Sequence, residues 1–113
     1  MNSTASVVMR DSKTGLIAFV EAVRTQALVV LYKLGSTASV VDRTRDLIHL
    51  AHEDGVLTSC SIIGGAAGII YIAGILEKAP VTLSVIAETA GLHPRSVQRY
   101  KTLLATHLKS KWG

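Results

Sequence analysis

The stretch "SIIGGAAGIIYIAGIL", residues 61–76, has no charged residue and contains three alanines and four glycines. Two interpretations compete for it: a membrane span, or a helix buried inside a protein. A span needs about 20 apolar residues, and the uncharged run reaches that length only from residue 56, by including Thr58, Ser59 and Ser61. Glycines at positions 64 and 68 allow close helix approach in either setting.

The surroundings of this stretch favour a buried helix. No basic cluster flanks it, and only Lys78 lies nearby. The neighbouring segments have amphipathic faces that need a partner, and a central helix that is apolar all round supplies one. We therefore predict a core helix and no membrane association.

The other segments have helical periodicity as well. Residues 14–34 and 40–52 both space apolar side chains three and four apart. Gly35 and Gly55 are predicted to end these helices, and Ser36 or Thr37 to cap the second. Either Ser59 or Ser61 caps the glycine-rich helix, which breaks at residues 78–80. The first helix is expected to face the core with Leu16, Ile17, Val20, Val23, Ala27, Val30, Leu31 and Leu34.

Length and composition limit the architecture. With 113 residues, 49% of them hydrophobic, the chain is expected to fold as one domain around one core. No alternating strand pattern competes, so we predict an all-α fold of five helices over residues 14–110, after a flexible arm over residues 1–13.

The single cysteine, Cys60, excludes an internal disulfide and favours an intracellular protein, cytoplasmic or nucleoid-associated, or nuclear in a eukaryote. Its neighbours do not activate it, so a buried hydrophobe is expected.

The charge is concentrated at the C-terminal end. Five basic residues and no acidic one follow position 94, whereas the first 94 residues hold seven basic and eight acidic residues. A basic segment on a nearly neutral body indicates a local anionic partner, although many charged faces are simply solvated.

Residues 82–109 have the pattern of a helix-turn-helix. Thr82 is predicted to cap a short helix whose Val85, Ile86 and Ala87 face inward. Gly91 makes the turn, and Pro94 suits the first turn of the next helix. An ordinary helical hairpin would have part of the same pattern.

A helical wheel of the last helix shows one apolar face and one polar face. Val97, Tyr100, Leu104 and Leu108 share one face, and the opposite face has no acidic residue. Because arginine pairs with guanine and glutamine with adenine, the outer face suits double-stranded DNA. The predicted base contacts are Arg95, Ser96, Gln98, Arg99 and Thr102, and the predicted phosphate contacts are Thr82, Ser84, His93, Lys101 and Lys109.

From about residue 28 to 109 the chain resembles a cyclin-like repeat of transcription initiation factor IIB and archaeal factor B, most closely the second repeat. The family's third helix begins at a serine, here Ser61, and has an alanine-rich Tyr-Ile-Ala core. A Thr-x-x-x-Ile-Ala segment and a glycine follow. Its last helix has Val-x-x-Arg-Tyr-Lys-x-Leu, matched here with one position fewer. The matching residues are Gly55, Ser61, Ala66, Ala67, Tyr71, Ile72, Ala73, Thr82, Ile86, Ala87, Gly91, Val97, Arg99, Tyr100, Lys101 and Leu103.

The resemblance implies a five-helix cyclin-like fold and promoter recognition through the helix-turn-helix, with the body packed against TATA-binding protein or other transcription machinery. The chain departs from the family at Ser59, Cys60 and Ile62, where a glycine, a basic residue and a proline are usual. The sequence contains neither the zinc-ribbon cysteines nor a first repeat, so it is either a fragment of a two-repeat factor or a single-repeat relative. A homodimer through residues 16–34 would restore two repeats.

The residues do not suggest an enzyme, a cofactor or a metal site. His49 and His52 are three apart, but no further histidine or cysteine lies at ligand spacing. The alternative to DNA binding is a cyclin-like protein-interaction module, in which the helix over residues 16–34 docks a partner through side chains such as Phe19 and Tyr32.

Overall fold

The computed structural model describes the backbone of residues 2–112 and the side chains of residues 15–108. Within that part of the chain there are five α-helices, one short 3₁₀ turn and no strand, which confirms the all-α class. The helices are α1 (Asn2–Leu34), α2 (Ala38–Asp54), α3 (Ile62–Leu76), α4 (Leu83–Ala90) and α5 (Pro94–Trp112), and the 3₁₀ turn is Leu57–Ser59.

Helix α3 is the centre of the fold. All four other helices pack against it, and every residue from 64 to 74 except Tyr71 is buried. The apolar stretch that decides the fold is therefore a core helix, as predicted. Small side chains let several helices approach one axis, which explains the alanines and glycines.

Three helices begin at hydroxyl side chains. Thr37, Ser61 and Thr82 each accept a hydrogen bond from the backbone N–H three residues later, with N···O distances of 3.5, 3.0 and 3.2 Å. The structure thus selects Thr37 over Ser36 and Ser61 over Ser59. Such caps satisfy backbone donors that a helix leaves unpaired.

Cys60 follows the 3₁₀ turn and is buried, which confirms its expected position in the core. Burial raises the pKa of its thiol to about 11 because the apolar surroundings disfavour the thiolate. The thiol is therefore protonated and unreactive at neutral pH.

Helix α1 differs from the sequence prediction at its first half. The helix begins at Asn2, so it includes the segment assigned to a flexible arm, in which no glycine or proline interrupts helical backbone. The flexibility of residues 1–13 stays a prediction, since their side chains lie outside the described residues. Leu16 and Ile17 were expected to face the core, but they are exposed because burial along α1 begins only at Val20.

Residues Gly15–Leu34 of α1 are also long and apolar enough to cross a membrane by length and composition, with a mean hydropathy of 1.5. Core helices of soluble proteins meet the same criterion. Here Val23, Ala27, Val30 and Leu31 belong to the same buried cluster as α3. One face of this segment is therefore part of the core, and the opposite face is uncovered.

Candidate nucleic-acid interface

The α4–α5 hairpin has the form predicted from residues 82–109. Gly91 ends α4 with φ 73°, in the left-handed region that glycine adopts without strain. The N–H of Leu92 then donates to the Ala87 carbonyl over 2.8 Å, which closes the turn. One prediction for α4 is wrong: Ile86 and Ala87 are buried, but Val85 is 44% exposed. Val85 lies outside because the helix packs through only one narrow side.

His93 caps α5, a role that the sequence analysis missed. Its Nδ1 accepts a hydrogen bond from the backbone N–H of Arg95 over 3.1 Å. An uncharged ring with an accepting Nδ1 has its proton on Nε2, which is left as a donor. Histidine is not among the preferred N-cap residues, so composition alone indicates no cap here, and only Pro94 marks the start of the helix.

The inner face of α5 is as predicted. Val97, Leu104 and Leu108 are fully buried, and Tyr100 is partly buried against the core. These residues recur at three- and four-residue spacing, so they form one stripe along the helix. The stripe packs against α3 and leaves the other side of α5 toward solvent.

Two glycines of α3 determine how closely α5 approaches. The ring of Tyr100 occupies the place where a Cβ on Gly64 would lie. A Cβ on Gly68 would lie 3.1 Å from the Lys101 backbone nitrogen and 3.0 Å from Cδ1 of Leu104. Gly64 and Gly68, the two glycines of the G-x-x-x-G spacing, therefore form the surface of α3 on which α5 packs, which we call the glycine seat. The position of α5 depends on the absence of a side chain at both positions.

The outer face of α5 presents four of the five predicted base-contacting residues. Arg95, Gln98, Arg99 and Thr102 are exposed, whereas Ser96 is only half-exposed. The first three are spaced so that they extend over the first two turns of the helix, which is the part that enters the major groove in known helix-turn-helix proteins.

The cations of this face are not neutralised by carboxylates. Among the described residues, the ion pairs involve Arg24, Arg43, His49 and His107, and none includes Arg95, Arg99 or Lys101. Among the side chains of α5 up to residue 108, the contact with a carboxylate joins Nδ1 of His107 to Asp54 over 3.3 Å. The positive charges of Arg95 and Arg99 are therefore not compensated by an ion pair among the described residues.

Arg99 lies beside its own neighbour Tyr100. A guanidinium nitrogen is 3.4 Å from the phenol oxygen, and the guanidinium carbon is 5.1 Å from the ring centroid. The nearby Ser61 hydroxyl, and then Arg99, lower the pKa of the Tyr100 phenol. Since Tyr100 sits on Gly64, it connects the arginine to the start of α3.

The predicted phosphate-contacting residues fall into separate groups. Thr82 and Ser84 are exposed at the start of α4, about 12 Å of helix before the turn. His93 is at the start of α5. The ammonium of Lys101 lies 5.5 Å from the centroid of the Tyr71 ring, so this half-exposed lysine extends from α5 toward α3. The side chain of Lys109 lies outside the described residues.

The histidines of α2 do not form a metal cluster. Among the described residues, no three histidine, cysteine, aspartate or glutamate side chains come together as ligands. His49 Nε2 instead lies 3.3 Å from the Glu53 carboxylate, one turn along the same helix. This is a surface contact of the kind that i, i+4 side chains make.

No protein-family model and no curated protein matches this chain. The geometry of the α4–α5 hairpin, its exposed cations and its packing on α3 are therefore the observations on which a function is argued.

Proposed function

We propose that the protein is a sequence-specific DNA-binding module related to the cyclin-like repeat of transcription initiation factor IIB. In this proposal α5 enters the major groove at its N-terminal end. Arg95, Gln98 and Arg99 read base edges, with Ser96 and Thr102 beside them. Thr82, Ser84, His93, Lys101 and Lys109 bind phosphates. The chain would act in the cytoplasm or nucleoid, or in a eukaryotic nucleus, with promoter DNA and TATA-binding protein or other transcription machinery as partners.

The observation that carries this proposal is that Arg95 and Arg99 are exposed on α5 and form no ion pair with the carboxylates that the structure describes. Arg95 and Arg99 pair with no acidic side chain among the described residues, and Gln98 is exposed between them. A solvated protein surface usually mixes both signs of charge. An uncompensated basic face at the start of a helix, held after a tight turn, is the arrangement that binds the anionic groove of DNA.

The internal packing of α5 supports the same proposal. Base readout requires side chains held in a fixed frame. The buried side chains of Val97, Leu104 and Leu108 and the glycine seat on α3 hold α5 directly against the core. The His93 cap fixes the first turn of α5. The Nε2–H of His93 remains available as a donor to a phosphate while Nδ1 caps the helix.

The alternative is a protein-interaction module of the same fold. It is favoured by the outer face of α1, where Ile17 and Tyr32 are 61% and 88% exposed. Exposed apolar surface of this kind marks contact with other macromolecules. The two functions are compatible, because α1 and α5 present their outer faces separately.

A DNA-selection experiment followed by salt titration tests DNA reading. The full chain is expected to enrich a preferred sequence from random duplexes and to lose affinity steeply with salt. On that sequence Gln98→Ala or Arg99→Ala should each reduce binding by about 1–3 kcal/mol and relax selectivity.

The triple change of Arg95, Gln98 and Arg99 to alanine should remove selectivity altogether. Its matched control is Arg45→Ala, which removes an exposed cation from α2. Circular dichroism and thermal unfolding should be unchanged in both variants, because all four side chains are exposed. Unaltered affinity and selectivity in the triple variant would disprove DNA reading by α5.

A further inference from the structure

Helix α1 has an outward stripe of four residues with 4-3-4 spacing: Ile17, Glu21, Arg24 and Leu28. At 100° per residue they fall within about 60° of one another, next to the buried face of the helix. Ile17 and Leu28 are 61% and 37% exposed, and Glu21 and Arg24 form an ion pair between them. This spacing is the one that side chains adopt along the contact seam of two paired helices.

The stripe is symmetric about its own midpoint, which lies between Ala22 and Val23. Ile17 and Leu28 are equally distant from that point along the helix, and so are Glu21 and Arg24. The outer positions are both apolar, and the inner positions have opposite charges. A surface with this pattern is complementary to a copy of itself turned by 180°.

We propose that two copies of this chain pair through α1 in antiparallel orientation, about a two-fold axis at the midpoint between Ala22 and Val23. Ile17 then packs against the partner's Leu28, and Leu28 against the partner's Ile17. Glu21 reaches the partner's Arg24, so that four alternating charges form a ring at the centre of the contact. The proposal does not depend on DNA binding.

The central charges favour a second copy over a lipid surface. A bilayer would have to accept Glu21 and Arg24 in the middle of the apolar stripe, at a considerable penalty. In a two-fold contact, Glu21 pairs with the partner's Arg24 and Arg24 with the partner's Glu21, so neither charge is buried without an opposite charge. It also covers Ile17, which the core of its own chain does not reach.

Charge exchange tests the pairing in solution. The full chain should sediment as a dimer at micromolar concentration. Glu21→Arg or Arg24→Glu places four like charges at the centre, and each should raise the dimer dissociation constant about tenfold or more. The double change Glu21→Arg with Arg24→Glu restores alternation and should restore the dimer. Gln26→Glu, exposed on the other side of α1, is the control and should leave the dimer intact.

Directed cross-linking tests the register. Chains with Ile17→Cys mixed with chains with Leu28→Cys should form mixed disulfide dimers, whereas Ile17→Cys chains alone should not cross-link. Cys60 does not interfere, because it is buried and protonated at neutral pH.

Three results would overturn the proposal: a wild-type chain that stays monomeric in this range, a double exchange that stays monomeric, or preferential cross-linking between two Ile17→Cys chains. Binding of the monomer to phosphatidylcholine vesicles without self-association would assign the stripe to a lipid surface instead. Loss of DNA reading in the α5 triple variant, with the dimer intact, would leave this pairing standing.

Discussion

Helices α1 and α5 both pack one face on α3, but their outer faces differ in chemistry. The outer face of α1 has Ile17, Val29 and Tyr32, whereas that of α5 has Arg95 and Arg99. The two helices are therefore alike in their buried apolar faces, and they differ in the side chains that they expose to solvent. An apolar outer face suits another protein surface, and a basic one suits a polyanion.

The largest expected effect tests whether both inner faces belong to one core. Leu31→Ala in α1 and Leu104→Ala in α5 should each reduce the free energy of unfolding by about 2–5 kcal/mol, since both side chains are fully buried. Urea unfolding followed by circular dichroism measures this. Val29→Ala, on the outer side of α1, is the control and should change stability little. A neutral Leu31→Ala would mean that α1 is not part of the core, and the comparison would fail.

The next effect concerns how closely each helix is held. Gly68→Leu should destabilise the fold by about 1–3 kcal/mol, because the backbone of α5 lies where the new side chain would go. Gly15→Ala in α1 should instead stabilise it by up to about 1 kcal/mol, because a Cβ there meets nothing and alanine favours helix. Thermal unfolding of the two variants should shift in opposite directions. Equal shifts would contradict the close seating of α5.

A smaller effect is expected at the start of α5. His93→Ala removes the acceptor for the Arg95 N–H and should destabilise the protein by about 1 kcal/mol. His93→Asn supplies a preferred cap and should keep the stability of the parent chain. Chemical unfolding of the three proteins provides the comparison, and a His93→Asn variant as unstable as His93→Ala would exclude a capping role.

The smallest expected effect concerns the salt dependence of DNA binding, which should change when a lysine is removed from α5 but not when one is removed from α1. Lys101→Ala should weaken binding to all DNA sequences alike and reduce the salt slope by about one unit, which is roughly a fourfold smaller loss of affinity between 50 and 200 mM salt. Lys33→Ala, at the end of α1, should not change the slope. Fluorescence anisotropy at several salt concentrations checks both variants, and identical slopes for all three proteins would remove Lys101 from the phosphate contacts.

Local signals in the sequence were sufficient for most of the fold. The uncharged stretch with four glycines predicted the central helix, and Thr82, Gly91 and Pro94 predicted the hairpin. These features act within a few residues of chain, where capping and backbone preferences decide the structure.

The burial of individual side chains depends on packing between distant parts of the chain, and the sequence did not predict it at every position. Leu16 and Ile17 follow the same periodicity as Val20 and Val23, but periodicity gives an angle around the helix and not the point where the core ends. Val85 was misassigned for a different reason: consecutive helical residues point 100° apart, and the narrow packing side of α4 includes Ile86 and Ala87 but not Val85. In the candidate site, the outer and inner faces of α5 followed from the helical periodicity, whereas the His93 cap and the contact of Tyr100 with Gly64 depend on the three-dimensional packing.

The glycine seat on α3 has a mechanical consequence. Tyr100 and the backbone of α5 rest directly on positions 64 and 68, so a side chain added at either glycine must displace the side chains or the backbone of α5. We therefore expect a methyl group added at position 64 or 68 to shift α5, and with it Arg95, Gln98 and Arg99 on its outer face. If this surface binds DNA as proposed, substitutions at positions 64 and 68 that move α5 are expected to change DNA recognition as well as stability.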